Sequence, residues 1–357
     1  MSVDDSLKAL RARIDAIDDS LLKLLSERAQ IAQEVGRTKR GEKIYRPERE
    51  AEIIRRLRQA NPGPLSGDSV ERLIREVMSA CRALEQDIRV SYLGPQGTFS
   101  QAAVTKHFGH EVSAQAEADI DACFRAVETG RADFAVVPVE NSTEGAISRT
   151  LDLIVSSPLK ICGEVMLPIH QNLMGKAASL DGIERVYGHA QSLAQCQNWL
   201  ARHLPQAERI SVVSNSDGAQ RAAEDPAAAA LGSEAAAELY GLQIIEARVE
   251  DEASNTTRFL VIAPQDAAPS GRDKTSLVMG AHNQPGAIVK LLQPLADAGI
   301  SMSKLESRPS RSGNWEYLFF VVCEGHREDA LLSATLEEIG MRAAFLKILG
   351  SYPAASS

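Results

Sequence analysis

Residues 89–108 read RVSYLGPQGTFSQAAVTKHF, a short apolar strand that runs into a glycine-rich turn and then a helix. The same grammar continues downstream. FAVVPV (134–139) leads into the polar run ENSTEGAISRTLDLIV (140–155), and KICGEVML, ERVYGH, RISVVS, AALG and RFLVIA are further strands. The helices AQSLAQCQNWLARH, SDGAQRAAE and SEAAAELYG fall between them. Such repeats predict a parallel α/β architecture with ligands at strand C-termini and helix N-termini. The alanine-rich stretch 226–238 reads as a small-residue helix without chemistry of its own.

Upstream the period changes. Residues 4 to 40 contain no proline, and Leu7, Leu10, Ile14, Ile17, Leu21, Leu24, Ile31 and Val35 step by three and four. Arg28 interrupts this seam. It is either a snorkelling or ion-paired structural residue, or a group that meets an anion. Arg28 and Lys39, eleven residues apart, fall within about 20° of one helix face and about 16 Å of each other. Arg11 lies about 25 Å before Arg28, so it reaches a ligand only in a site shared with another chain. A second helix begins at Pro47, and a third runs from about Asp68 to Gln86, with Cys81 and Glu85 one turn apart. A long helix with an open apolar stripe predicts a dimer.

Downstream, APQDAAPSGRD (263–273) reads as a linker. Strand TSLVMGA, helix PGAIVKLLQPLADAG, strands SMSKLESRPS and WEYLFFVVCE, helix REDALLSATLEEIG and strand FLKILGSYP follow, a βαββαβ ferredoxin-like unit. Pro285 and Gly299 punctuate its first helix.

The 357 residues suffice for two or three domains. A net charge of −9 argues against nucleic acid as a partner, and no apolar run is long enough for a membrane helix. The charged, amphipathic N-terminus does not read as a secretion signal. Five scattered cysteines without a CxxC exclude a disulfide framework or zinc ribbon and predict a cytoplasmic protein. His107 and His110 read as helix surface, and no metal or cofactor is expected.

The helical stretch, with LKALRARIDAIDDSLLKLLSERAQIAQEVGRTK, YRPEREAEII and REVMSACRALEQ, resembles the all-helical chorismate mutases, intertwined dimers of three-helix chains. The resemblance implies that Arg11 of the partner subunit, Arg28 and Arg49 hold the substrate carboxylates. By it, Lys39 bonds the ether oxygen and Glu50 takes the ring hydroxyl. Three positions depart from the family pattern: Arg46 replaces a frequent aspartate, Cys81 a common serine and Glu85 a common glutamine. Glu85 either faces the ether oxygen or is a solvated residue near a helix end.

YLGPQGTFSQAA, VVPVENSTEGAI, GHAQSLAQC and NTTRFLVI, in that order, resemble the prephenate dehydratases, whose fold is two-lobed, α/β and periplasmic-binding-protein-like. The resemblance makes Thr257 the essential hydroxyl, completed by Arg258 and Phe259. Glu140, Asn141, Ser142 and Gln195 line the cleft, and Thr98 and Ser100 bind a carboxylate. Thr257 or Glu140 supplies the proton to the leaving hydroxyl; turn capping is the plainer reading of each polar motif. Gly188 stands where some members carry serine.

The C-terminal unit resembles the ACT regulatory domain. By that resemblance, Asn283, Gly286, Ala287, Ile288, Val289, Glu306, Ser307, Arg308 and Pro309 bind phenylalanine between paired units. The expectation is three domains, 1–88, 89–265 and 274–353, in a homodimer or higher homo-oligomer. The enzyme would convert chorismate to prephenate and prephenate to phenylpyruvate, inhibited by L-phenylalanine. The alternatives are a dehydratase with a merely dimerising helical domain, or a non-catalytic amino-acid sensor.

Overall fold

Helix α1 (Val3–Thr38) forms where the proline-free, stepped apolar pattern places it, with Asp4 and Asp5 in its first turn against the positive end of the helix dipole. The computed structural model describes residues 3–38, 45–143, 145–252, 254–281, 284–309 and 317–355. Lys39 and Asn283, both expected site residues, lie outside the described residues. Helix α2 (Pro47–Ala60) opens with proline at its first position. In α3 (Gly67–Ala83) the Ser66 hydroxyl accepts from Ser69 N–H at 3.1 Å as N-cap. This helix ends three residues earlier than the sequence pattern suggests: Glu85 N–H donates to Arg82 O at 2.9 Å in a closing turn. Arg58 pairs with Glu71 at 2.6 Å, and Arg75 pairs with the same carboxylate at 2.9 Å. Burial pushes the Glu71 carboxyl up, but the two guanidiniums outweigh it and hold it below the usual range.

Two compact units emerge. One comprises Met1–Arg46, Ile53–Ile88 and Phe108–Ser113; the other comprises Pro47–Glu52, Arg89–His107 and Ala114–Ser357. Within the first, Arg82 is buried, stands 5.0 Å over the Tyr45 ring and donates to Phe108 O at 2.6 Å.

The second unit begins with a sheet built from β1 (Arg89–Leu93), β2 (Ser113–Glu117), β3 (Phe134–Asn141), β4 (Gly145–Ala146) and β5 (Lys160–Pro168). Helices α4 (Phe99–Phe108), α5 (Ile120–Glu128) and α6 (Ser148–Ser156) connect them. A second sheet follows, with β6 (Asn172–Gly175), β7 (Arg185–His189), β8 (Glu208–Val212), β9 (Ala228–Gly232) and β10 (Gln243–Glu246). Its helices are α7 (Ala190–Gln195), α8 (Gln197–His203), α9 (Asn215–Glu224) and α10 (Glu234–Tyr240). The chain then returns with β11 (Thr256–Ala263) to the first sheet, whose order is β2-β1-β3-β11-β5.

Both sheets are mixed, which corrects the expectation of a parallel architecture. β1 and β3 are parallel, but β11 runs antiparallel to β3 and β5 because it enters from the second lobe. In the order β10-β6-β9-β7-β8, β7 runs parallel to β8 and β9 while β6 is antiparallel to β9. The alanine-rich stretch 226–238 divides: AALG lies in β9, as read, and Glu234–Tyr240 form α10, so only its reading as one continuous helix is corrected. Residues 228–232 form a strand whose Ala229 and Leu231 enter one apolar cluster while Ala228 and Ala230 enter another. Small residues suit a strand packed on both faces, and composition alone does not distinguish that from a helix.

The C-terminal strands β12 (Asp273–Gly280), β13 (Met302–Pro309), β14 (Tyr317–Glu324) and β15 (Phe345–Pro353) form an antiparallel sheet in the order β13-β14-β12-β15. With α11 (Ala287–Asp297) and α12 (Ala330–Arg342) they make the βαββαβ unit. One sheet face packs on the two helices through Leu277, Met279, Leu291 and Leu336. The other, with Val278, Phe320, Leu349 and Tyr352, joins the core of the first lobe around Val137, Ile154 and Leu260. Gly350 makes this approach possible: a Cβ there would stand 2.1 Å from Ile161 O. The stretch read as a linker is itself packed, with Ala267 and Ser270 buried and Ala267 O accepting from His326 at 3.1 Å.

Candidate active site and effector domain

Strand pairing brings the polar ends of VENST and NTT together. Asn141 is in register with Thr257, and its amide donates to Thr257 Oγ1 and to Asn255 Oδ1, each at 2.9 Å. The amide orientation follows from Thr143, whose N–H can only donate and meets Asn141 Oδ1 at 3.0 Å. All three side chains are buried. Thr257 Oγ1 therefore accepts from Asn141 and keeps its own proton to donate elsewhere. Ser142 closes the corner: its hydroxyl accepts from Thr256 N–H at 3.0 Å and donates to Ser254 O at 3.3 Å.

The glycine-rich turn seats against the second lobe. Gly97, at φ +78°, leaves no room for a side chain beside Ala236 Cα and Ser216 Oγ, each 3.2 Å from a built Cβ. Ser233 Oγ donates to Gly97 O at 2.7 Å, and Ser216 donates to Gln96 O. Thr98 Oγ1 donates back into the turn, to Pro95 O at 3.0 Å, and Ser100 is buried in the first turn of α4.

Gln195 ends α7, with its Oε1 3.5 Å from Gln171 Nε2. Around it lies an amide cluster that sequence reading missed. Asn215 Nδ2 donates to Ser192 Oγ at 2.8 Å and to Gln171 Oε1 at 3.3 Å, and Gln171 N–H meets Glu250 Oε2 at 2.9 Å. The available signals were the polar triplets His170-Gln171-Asn172 and Ser214-Asn215-Ser216 at element ends.

Three expected site residues take other places. Strand alternation turns Arg258 and Glu140, which are in register with each other, away from the face of Thr257 and Asn141. Arg258 donates to Glu164 at 2.9 Å and to Tyr352 OH at 3.0 Å. Lys274 Nζ meets the other Glu164 oxygen at 2.6 Å. Burial pushes Glu164 up, yet Arg258 and Lys274 together hold it below the usual carboxylate range. Burial also pushes the Tyr352 phenol up to about 12. Glu140 Oε2 lies 2.8 Å from Lys304 Nζ, so it does not face the Thr257 hydroxyl as an acid. Phe259 is 2% exposed and serves the core.

In the C-terminal unit, Gly286 takes φ +74° as N-cap of α11, and Ala287, Ile288 and Val289 form its first turn. ESRP is divided by its strand: Glu306 and Arg308 face the first lobe, where Arg308 donates to Ser148 O at 2.7 Å and pairs with Asp152 at 3.2 Å. Ser307 and Pro309 occupy the alternate, exposed positions.

In the helical unit, Arg28 is half-buried and Arg11 exposed on α1, Arg46 is exposed before α2, and Cys81 is buried in α3. Glu85 packs on Gly36 of α1, with Cγ 3.1 Å from where a Cβ would stand. Arg49 and Glu50 occupy the first turn of α2, and Arg49 pairs with Glu52 at 2.5 Å.

Two mixed-sheet lobes joined by a returning strand, hydroxyls and amides gathered at strand ends, and a ferredoxin-like domain packed on the same lobe define a modular enzyme with a built-in effector domain. The chorismate mutase type II model matches residues 10–86, the prephenate dehydratase model residues 90–267 and the ACT domain model residues 275–340. The bifunctional chorismate mutase/prephenate dehydratase of Neisseria gonorrhoeae is 52% identical over 99% of both chains, and that of Escherichia coli K12 is 34% identical over 99% of this chain and 97% of its own. The crystal structure of prephenate dehydratase from Arthrobacter aurescens in complex with L-Phe superposes with a TM-score of 0.69 at 31% identity, covering 75% of this chain and 90% of that one. The chain belongs to the bifunctional chorismate mutase/prephenate dehydratase family. It is an enzyme with both activities, an isomerase and a carbon–oxygen lyase.

Proposed function

We propose that prephenate is converted to phenylpyruvate at the Asn141–Thr257 corner, with Ser142, Gln195, Thr98 and Ser100 around the substrate. One proton is taken up as carbon dioxide and water leave. Thr257 donates its hydrogen bond to the departing C4 hydroxyl, and aromatisation drives the loss of the carboxylate. A threonine is too weak an acid to give its proton outright, so it orients and relays. The observation that carries this reading is the Asn141 amide donating to Thr257 Oγ1 at 2.9 Å, which leaves the hydroxyl's own proton available to donate.

Chorismate is rearranged in the helical part without a covalent step, by gripping a compact conformer and stabilising charge on the ether oxygen. Arg28, Lys39, Arg49 and Glu50 hold it, together with Arg11 of the partner subunit, Arg46, Cys81 and Glu85. A dimer is supported by the apolar stripe of α1, where Ile14, Ile17 and Leu24 are 57%, 64% and 62% exposed. Phenylalanine binds at Gly286–Val289 and Glu306–Pro309, near Asn283, and inhibits the dehydratase. The functional parts are 1–88, 89–265 and 274–353. The five cysteines, all buried and unbridged, suit a reducing cytoplasm.

The test gives the purified protein chorismate and follows phenylpyruvate with and without phenylalanine. Product from chorismate alone, suppressed by phenylalanine, is the expected result. Persistence of chorismate while added prephenate is consumed would remove the mutase assignment.

A further inference from the structure

The charged cluster on the back of the catalytic strands has no part in the chemistry above, and it joins two sequence motifs. Lys304 lies on β13 with its ammonium shut off from solvent. Nζ stands 2.8 Å from Glu140 Oε2 and 3.1 Å from Glu306 Oε2. Glu306 begins the ESRP motif, while Glu140 immediately precedes Asn141, which donates to Thr257. A buried ammonium between two carboxylates holds both in place. Without it, two partly exposed carboxylates face each other with no cation between them. Where Glu140 shifts together with its backbone, the peptide it shares with Asn141 moves with it, and misplacing a reacting group by about 1 Å costs about 100-fold in rate.

We propose that Lys304 is a positioning residue for the dehydratase reaction, supplied by the C-terminal domain: it holds Glu140 and thereby the Asn141–Thr257 pair, and shares its charge with Glu306. This rests on the dehydratase reading of Thr257. Because one ammonium serves both carboxylates, an effector whose own ammonium engages Glu306 alters the balance that Glu140 feels. Lys304 thereby couples the catalytic strand to the effector strand, with no contact between the effector and the substrate.

The test uses the full-length enzyme and the variants K304M, K304R, E140Q and K304M/E140Q. Dehydratase kcat and KM, mutase rate, phenylalanine binding by calorimetry and inhibition by phenylalanine are measured on each. K304M should lose about 30- to 100-fold in dehydratase kcat with KM within about 2-fold. Its mutase rate should be unchanged, and it should still bind phenylalanine but no longer be inhibited by it. K304R should recover most of kcat and the inhibition. If K304M folds poorly, E140Q carries the comparison, with the same kcat loss and loss of inhibition expected. Where the double variant can be measured, it should lose no more than the worse single variant. Normal kcat and normal inhibition in K304M would overturn the proposal, as would additive losses in the double variant or normal inhibition in E140Q. A parent enzyme inactive on prephenate would instead remove the dehydratase reading itself.

Discussion

Thr257 and Arg258 are consecutive on β11 and serve opposite faces of one sheet. The Thr257 hydroxyl accepts from Asn141 at 2.9 Å, whereas the Arg258 guanidinium reaches Glu164 at 2.9 Å and Tyr352 at 3.0 Å. Neighbouring residues of one motif thus separate into catalysis and assembly. Thr257→Val should lower dehydratase kcat by about 10²–10⁴-fold while costing only about 1 kcal/mol of stability, for the one Asn141 N–H it leaves unpaired. Arg258→Met should show the reverse emphasis, costing about 3 kcal/mol of stability because a buried carboxylate loses a partner. Calorimetric melting alongside a prephenate assay separates the two. A Thr257→Val protein that melts as early as Arg258→Met would place that residue in the scaffold instead.

Asn141 makes a sharper test, because its amide can donate and a carboxylate cannot. In Asn141→Asp the side chain would draw the Thr257 proton to itself and turn the hydroxyl away from substrate. Dehydratase kcat should fall about 100-fold, with chorismate consumption unaffected. Equal activity in the aspartate variant would mean that Asn141 does not orient Thr257.

Much of this arrangement is legible in the sequence, and the limits have identifiable causes. The C-terminal unit reads element by element because strand alternation and the Pro285/Gly299 punctuation agree. The Asn141–Thr257 corner follows from polar residues crowded at strand ends. What the motifs do not reveal is which face each residue takes. Glu140 and Arg258 stand inside catalytic-looking motifs, yet their partners, Lys304, Glu164 and Tyr352, lie on other strands far along the chain. Nor does alanine-rich composition show where the strand at 228–232 ends and the helix at 234–240 begins.

Glu164 should make the attachment of the C-terminal sheet acid-sensitive. Burial disfavours its charge, but Arg258 and Lys274 more than compensate, and the folded-state pKa lies below the unfolded one. Its contribution is therefore complete above the ordinary glutamate pKa of about 4.3 and is lost as pH falls through the lower folded value. Melting temperatures between pH 3 and 7 should show the parent losing stability toward acid. Glu164→Gln should start lower and fall less steeply. Parallel curves for the two proteins would show that this carboxylate does not govern the acid transition.

Gly350 sits where β15 crosses β5, and a built Cβ meets Ile161 O at 2.1 Å and Ile161 N at 2.7 Å. Backbone cannot yield as a flexible side chain does, so Gly350→Ala should cost about 2–4 kcal/mol. The loss should appear as earlier melting and as faster proteolysis of the segment joining β11 to β12. Wild-type melting in this variant would mean that the sheet contact is looser than the geometry implies.

Glu85 provides the test on the helical side. It lies in the turn that closes α3, against Gly36 of α1. A glutamic acid donates a hydrogen bond to an ether oxygen only while protonated, and once ionised it opposes negative charge developing there. Mutase kcat should therefore decline as pH rises and the carboxyl loses its proton. Glu85→Gln, whose amide donates at every pH, should flatten the profile and retain rate on the alkaline side. Dehydratase activity measured on the same samples controls for general loss of the protein. A flat mutase profile in the parent would take Glu85 out of the site and leave it as the packing partner of Gly36.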